Sequence, residues 1–128
     1  MPRTQLIFYK QRDGAVPVRD WLLELKRRER RVFAKCVVRL RRLADAGHEL
    51  RRPEADFLRD GIYELRVREG RRNFRILYFF HGRNVAILAQ GLMKEAEVPR
   101  AEIERALGRK AQFEAKPAAH SHEEDLNG

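Results

Sequence analysis

Ile62-Tyr63-Glu64-Leu65-Arg66-Val67-Arg68, followed by Glu69-Gly70-Arg71-Arg72 and Asn73-Phe74-Arg75-Ile76-Leu77-Tyr78-Phe79-Phe80, is the stretch on which the fold turns. With His81-Gly82-Arg83 and Asn84-Val85-Ala86-Ile87-Leu88-Ala89-Gln90 it makes three segments rich in aliphatic, β-branched and aromatic residues, at 62–68, 73–80 and 84–90. Glycine-bearing connectors this short suit hairpins, so the stretch predicts an antiparallel meander. Along 62–68, Tyr63, Leu65 and Val67 alternate with Glu64, Arg66 and Arg68, giving one apolar face and one ionic face.

Upstream, 6–9 is a short β-favouring run closed by the turn dipeptide Asp13-Gly14. Val18, Trp21, Leu22 and Leu25 then fall at helical spacing behind Pro17, a residue suited to the first helical position. A second helical run carries Phe33, Cys36, Val37, Leu40, Leu43 and Ala44, with Gly47 as its stop. Residues 27–31 contain no glycine or proline, so one bent helix and a helical hairpin are both open. A polar stretch, 46–56, separates these runs from the meander.

Downstream, Pro99 opens a last helix with Ile103, Ala106 and Leu107 on one face. Glu102 and Glu104 come early in it, and Arg109 and Lys110 late, the order the helix dipole favours. From about Ala115 the apolar period is lost, which predicts disorder. The expected architecture is α+β, a small antiparallel sheet packed on helices in the order β-α-α-β-β-β-α. Residues 1–113 form its single domain and 114–128 a disordered acidic tail.

The chain has 128 residues, 43% of them hydrophobic, enough for one core. It has no run of about 18 apolar residues to span a bilayer, and its N-terminus returns quickly to charge, so it is expected to be soluble and unexported. The lone Cys36 has no disulfide partner within the chain, and its place in a helical apolar stripe points to packing; this fits a reducing cytoplasm.

Charge is the more informative property. The chain holds 28 Lys and Arg against 19 Asp and Glu, net +9, and 22 of the cations are Arg. Residues 114–128 set Lys116 against Glu114, Glu123, Glu124 and Asp125, a net of −3, leaving 1–113 with +12. The arginine fork matches phosphate and stacks on bases, so the balance favours nucleic acid or ribosome surfaces; solubility alone is the plainer alternative.

If the first hairpin turns between Gly70 and Arg71, residues whose numbers sum to 141 are paired, and Arg66 faces Arg75. Like charges across a ladder destabilise it, so such a pair suggests a neutralising phosphate, although an ion pair with Glu64 would serve structure equally. Lys94 could complete the cluster, with Arg68 and Arg71 beside it. On the second helix Arg28, Arg31, Lys35, Arg39 and Arg42 recur every three or four residues, a ridge suited to RNA contact or simply to solvation. Tyr78 and Phe79 could stack bases but fit the core better, and the same holds for Tyr63. His81 is a candidate acid or a solvated turn residue. His120 and His122 lack a third ligand at usable spacing, no metal site is expected, and no glycine-rich phosphate loop precedes a helix. Nucleotide hydrolysis and metalloenzyme chemistry therefore drop away.

The block 60–68, the segment 73–80, Gly91-Leu92-Met93-Lys94 and Val98-Pro99-Arg100-Ala101-Glu102-Ile103-Glu104-Arg105-Ala106 together resemble HigB-like, phage-related toxins of the RelE/ParE superfamily. The likeness covers most of 5–112. It implies a RelE-like fold and a toxin that cuts messenger RNA on the ribosome, by attack of a 2′-hydroxyl on the adjacent phosphate without metal or other cofactor. It also implies a cognate helix-turn-helix antitoxin, with a toxin–antitoxin hetero-oligomer, and no membrane partner. Carried onto this chain, Arg75, then Arg66 and Lys94, would stabilise charge. Glu64, where some relatives have lysine, would be the base or would orient Arg66. The family's paired lysines are here Lys94-Glu95. A gyrase-poisoning ParE-type toxin and a non-catalytic nucleic-acid-binding partner are the rival readings.

Overall fold

In the computed structural model, residues 3–94 and 96–126 are described. The meander is present as β3 (Ile62–Glu69), β4 (Arg72–Phe80) and β5 (Val85–Met93), each antiparallel to the next. Gly70, at φ +60°, makes the β3–β4 turn, and Arg66 pairs with Arg75, the register expected from a turn centred on Gly70 and Arg71. Two further strands lie outside it. β1 (Gln5–Tyr9) runs parallel to β5, so the sheet is mixed where a purely antiparallel one was expected. β2 (Ala55–Arg59) falls at the end of the supposed polar stretch and pairs with β3. The β2–β3 connection is Asp60-Gly61, both at positive φ, as a two-residue hairpin loop of the primed kind requires.

The helices α1 (Pro17–Arg28) and α2 (Arg30–Ala46) are separate. They break at Glu29, whose extended backbone (φ −143°, ψ 75°) ends one helix and begins the next and whose carboxylate reaches Arg72 at 2.5 Å. Both helices pack on one sheet face. Val18 and Leu22 of α1, with Val32, Phe33, Cys36, Leu40 and Leu43 of α2, cover Phe8, Leu65, Val67, Phe74, Ile76, Tyr78 and Leu88. Each large side chain so buried contributes roughly 1.5–3 kcal/mol. Gly47 ends α2 at φ +54°.

On the opposite face α3 (Arg100–Ala115) lies over Ile62, Leu77, Phe79, Ile87 and Ala89, but only Ala106 and Phe113 of this helix are fully buried. A bulge at Leu77/Tyr78 in the β4–β5 ladder turns Ala89 and Gln90 toward α3. Gln90 donates to the backbone carbonyl of Glu102 at 2.7 Å, and Arg109 donates to that of Ala89 at 2.8 Å. These bonds fix the helix over Ile62 and the middle of β4 and β5 and leave the Glu64–Arg68 part of β3, with the start of β4, uncovered.

Beyond α3, two short elements lie within the segment 114–126. A short 3-10 turn (Pro117–His120) leads into β6 (Ser121–His122), antiparallel to β1 at the sheet edge. His120 is buried, stacks on Tyr9 with ring centroids 5.4 Å apart and has Nδ1 2.8 Å from the Lys10 carbonyl oxygen. Glu124 pairs with Arg19 at 3.3 Å, and Leu126 packs on the α1/α2 side of the core. The order of the sheet is β2-β3-β4-β5-β1-β6.

Candidate active site

The uncovered part of the α3 face is floored by the ionic side of the β3–β4 hairpin. Strand alternation puts Glu64, Arg66 and Arg68 of β3 with Asn73 and Arg75 of β4 on that side, since Leu65, Val67, Phe74 and Ile76 are held in the α1/α2 core. Asp56 and Leu58 of β2 and Ala96, Glu97, Val98 and Ile103 around the start of α3 complete the walls, and Arg52 stands at the rim; the cleft measures about 620 Å³.

At its floor Glu64 and Arg75 are each 7% exposed. Arg75 Nε lies 2.7 Å from Glu64 Oε1, an ion-pair distance. The Nε–H is nevertheless not directed at that oxygen, and Nε has no aligned acceptor. Arg66, a third exposed by side chain, is 3.9 Å from the other Glu64 oxygen, at the edge of ion-pair range. Glu64 therefore engages Arg75 closely and Arg66 weakly, so the arginine it can orient most directly is Arg75. Asp56 sits directly across from Glu64 in the β2–β3 ladder. Arg52 pairs with Asp56 at 2.7 Å, and the hydrogen bond between them holds the Asp56 carboxyl below its ordinary range. The arrangement is a strip of carboxylates and guanidiniums in which Arg66, Arg68 and Arg75 line a solvent-open cleft, chemistry that suits an anionic oxygen.

Arg66, Arg75, Glu64 and Arg68 are thus brought together. Lys94 is not in the wall: its backbone N–H donates to the Asn73 carbonyl at 3.0 Å, and its side chain is exposed. Glu95 lies outside the described residues. Arg71 is exposed in the β3–β4 turn. Asp56, Arg52 and Glu97 were not anticipated; the Asp60-Gly61 dipeptide was the signal that could have revealed β2 and with it Asp56.

Of the ridge expected on the second helix, Arg28 instead ends α1, while Arg31, Lys35, Arg39 and Arg42 lie on α2, and all five are paired. Lys35 and Arg31 reach Glu69 at 3.0 and 3.8 Å, Arg42 and Arg39 reach Glu54 at 2.9 and 3.5 Å, and Arg28 pairs with Glu24. Five cations thus share three carboxylates. Tyr78 and Phe79 are fully buried, and burial raises the Tyr78 hydroxyl well above its usual value, as core residues require. Tyr63 is half-buried among Phe57, Tyr78 and Phe80. His81 stands edge-on to Phe113 at 5.2 Å and takes no part in the cleft.

A six-stranded mixed sheet against three helices, with an arginine-floored cleft on the face that α3 leaves open, is consistent with a RelE-like α+β protein. The family model for phage-derived Gp49-like proteins (DUF891) matches residues 20–111, and the chain belongs to that family. The family lies within the RelE/ParE-like toxin superfamily and consists of toxin components of toxin–antitoxin systems, which implies an antitoxin partner. Among curated proteins none matches the chain with significance. No helix among the described residues is long and apolar enough to cross a membrane.

Proposed function

We propose that the chain is a HigB-like endoribonuclease that cuts messenger RNA on the ribosome in the cytoplasm, restrained by a helix-turn-helix antitoxin in a toxin–antitoxin complex. The observation that carries this reading is Arg75. It is a buried guanidinium with an unaligned Nε, facing Arg66 across the hairpin, at the floor of a solvent-open cleft.

In the reaction the 2′-oxygen of one nucleotide bonds to the adjacent phosphorus as the P–O5′ bond breaks. One proton leaves the 2′-hydroxyl and one is delivered to the departing 5′-oxygen, so the ends are a 2′,3′-cyclic phosphate and a 5′-hydroxyl. Arg75 and Arg66 stabilise the charge that builds on the phosphoryl oxygens. Glu64, in contact with Arg75 at 2.7 Å, acts first as the residue that positions it. Arg68 and the α2 ridge hold the RNA backbone by charge rather than sequence.

Purified protein is incubated with translating ribosomes, and the message ends are mapped and their termini identified. Cyclic-phosphate ends that vanish in Arg75→Ala, with folding retained, are the expected result. Intact message with gyrase-dependent DNA breaks would replace this reading with a gyrase poison. Growth arrest unchanged in Arg75→Ala would remove Arg75 from the site.

A further inference from the structure

A second opening lies away from the cleft, between Tyr9, the turn at 11–13 and the C-terminal half of α3. It measures about 480 Å³, and Arg12, Arg105 and Arg109 contribute to its walls along with Gly108. We propose that this pocket binds a phosphate group, carried on an RNA backbone or free in solution.

Arg109 is the centre of the argument. Its Nη1 donates to the Ala89 carbonyl at 2.8 Å and to Gln90 Oε1 at 3.3 Å, and its guanidinium lies 5.6 Å from the centroid of the Tyr9 ring. Gln11, in the amide orientation its neighbours require, accepts from Nη2 at 3.2 Å and donates to Asp13 at 3.2 Å. All these partners of Arg109 are neutral, and among the described residues no carboxylate forms an ion pair with it. Burial lowers its pKa from the ordinary arginine value; Tyr9 and Glu102 oppose that shift and Arg105 adds to it.

The neighbours do not supply the missing charge. Arg12 is exposed and has no ion pair among the described residues. Arg105 has only Glu102, at 3.8 Å. Asp13, the one acid that lines the pocket, already accepts from the Ala15 N–H at 2.9 Å, and Glu102 lies outside the lining, where it accepts from Gln90 at 2.8 Å. A partly desolvated cation without a counter-ion is costly, and two more guanidiniums around the same opening add repulsion. A tetrahedral anion with several oxygens relieves both costs, and the planar fork of arginine matches it.

Gly108 provides a clean test, because a Cβ built there meets nothing within 4 Å and a carboxylate at this place would occupy the pocket from within. Amide spectra of the full chain are followed while inorganic phosphate, or a short oligoribonucleotide without terminal phosphates, is added against matched chloride. Saturable shifts at Gly108 and Arg109 are expected. Gly108→Asp and Arg12→Gln should each weaken binding by about tenfold, the loss of one charge-assisted interaction. Saturation by the oligoribonucleotide alone identifies a backbone phosphodiester, and saturation by inorganic phosphate identifies a free-anion site; either upholds the proposal. No saturable shift with either probe, or unchanged affinity in both variants with folding retained, overturns it. Arg75→Ala should leave these shifts unaltered, so failure here and failure of the cleft reading are separate results.

Discussion

Glu64 and Arg75 bury opposite charges at the floor of a cleft, each offsetting the other's desolvation. Glu64→Ala strands the guanidinium and is expected to cost about 3 kcal/mol or more in urea unfolding. A loss below about 1 kcal/mol would mean that Arg75 escapes to solvent when its partner is removed. The facing arginines were legible in the sequence because Gly70-Arg71 fixes the register. The Glu64–Arg75 pair was not, because it runs diagonally: Glu64 is opposite Leu77 and Arg75 opposite Arg66, and diagonal reach depends on rotamers that alternation does not specify. Cys36 is simpler. Its apolar stripe indicated packing, and burial pushes its thiol from 9.0 up to about 12. Its folded pKa is the raised one, so the contribution is fully present below pH 9.0 and is lost as pH climbs toward about 12. Over that window stability should fall by up to about 1.4 kcal/mol per pH unit from this group. Chemical denaturation of Cys36→Ala across the same range should show a shallower slope; an identical slope would assign the loss to other groups.

At the scale of elements, the meander and the helices were readable from periodicity, and the misses share a cause. β2 is an edge strand with one neighbour and the mixed sequence ADFLR, so burial imposes little alternation on it. The parallel pairing of β1 with β5 comes from contacts distant in sequence, which no local pattern encodes. Tight packing of α1 against β5 has a sharper signature. A Cβ at Gly91 would enter the Trp21 ring, with Cε2 at 2.8 Å, so Gly91→Ala should lower stability by about 1–3 kcal/mol in thermal or urea melts. The α2 ridge carries a prediction of the opposite kind. Glu54 and Glu69 each hold two of its cations, and these are largely exposed ion pairs whose removal costs little stability. Glu54→Gln with Glu69→Gln should therefore leave the melting point nearly unchanged while tightening non-specific RNA binding. The slope of log affinity against log salt should steepen by about 0.7 for each further phosphate that the released cations neutralise. Unchanged binding in that double variant would make the ridge a solvated face and nothing more.

Over the whole molecule, the +12 of residues 1–113 is spent unevenly. Much of it is internally paired on α2, the cleft sets its guanidiniums against Glu64 and Asp56, and the pocket beside α3 keeps guanidiniums facing solvent or neutral groups. The acidic residues near the C-terminus belong to the same balance. One buried histidine, two strand residues and one leucine, too few to register as a sequence period, place that segment against β1 and α1. The position of β1 also sets an order of events during synthesis. Its five residues are complete at Tyr9, but the strand it pairs with ends at Met93, and β6, which flanks it on the other side, comes later still. A chain emerging from the ribosome can therefore form the α1–α2 pair early and must leave β1 without a neighbour until most of the protein has been made. Stalled nascent chains should show this directly: protease resistance in β1 is expected only once β5 has cleared the exit tunnel. On that schedule the arginine floor of the cleft and the fold that supports it are assembled almost together, late in translation, so a partly made chain carries the charge of the toxin without its site.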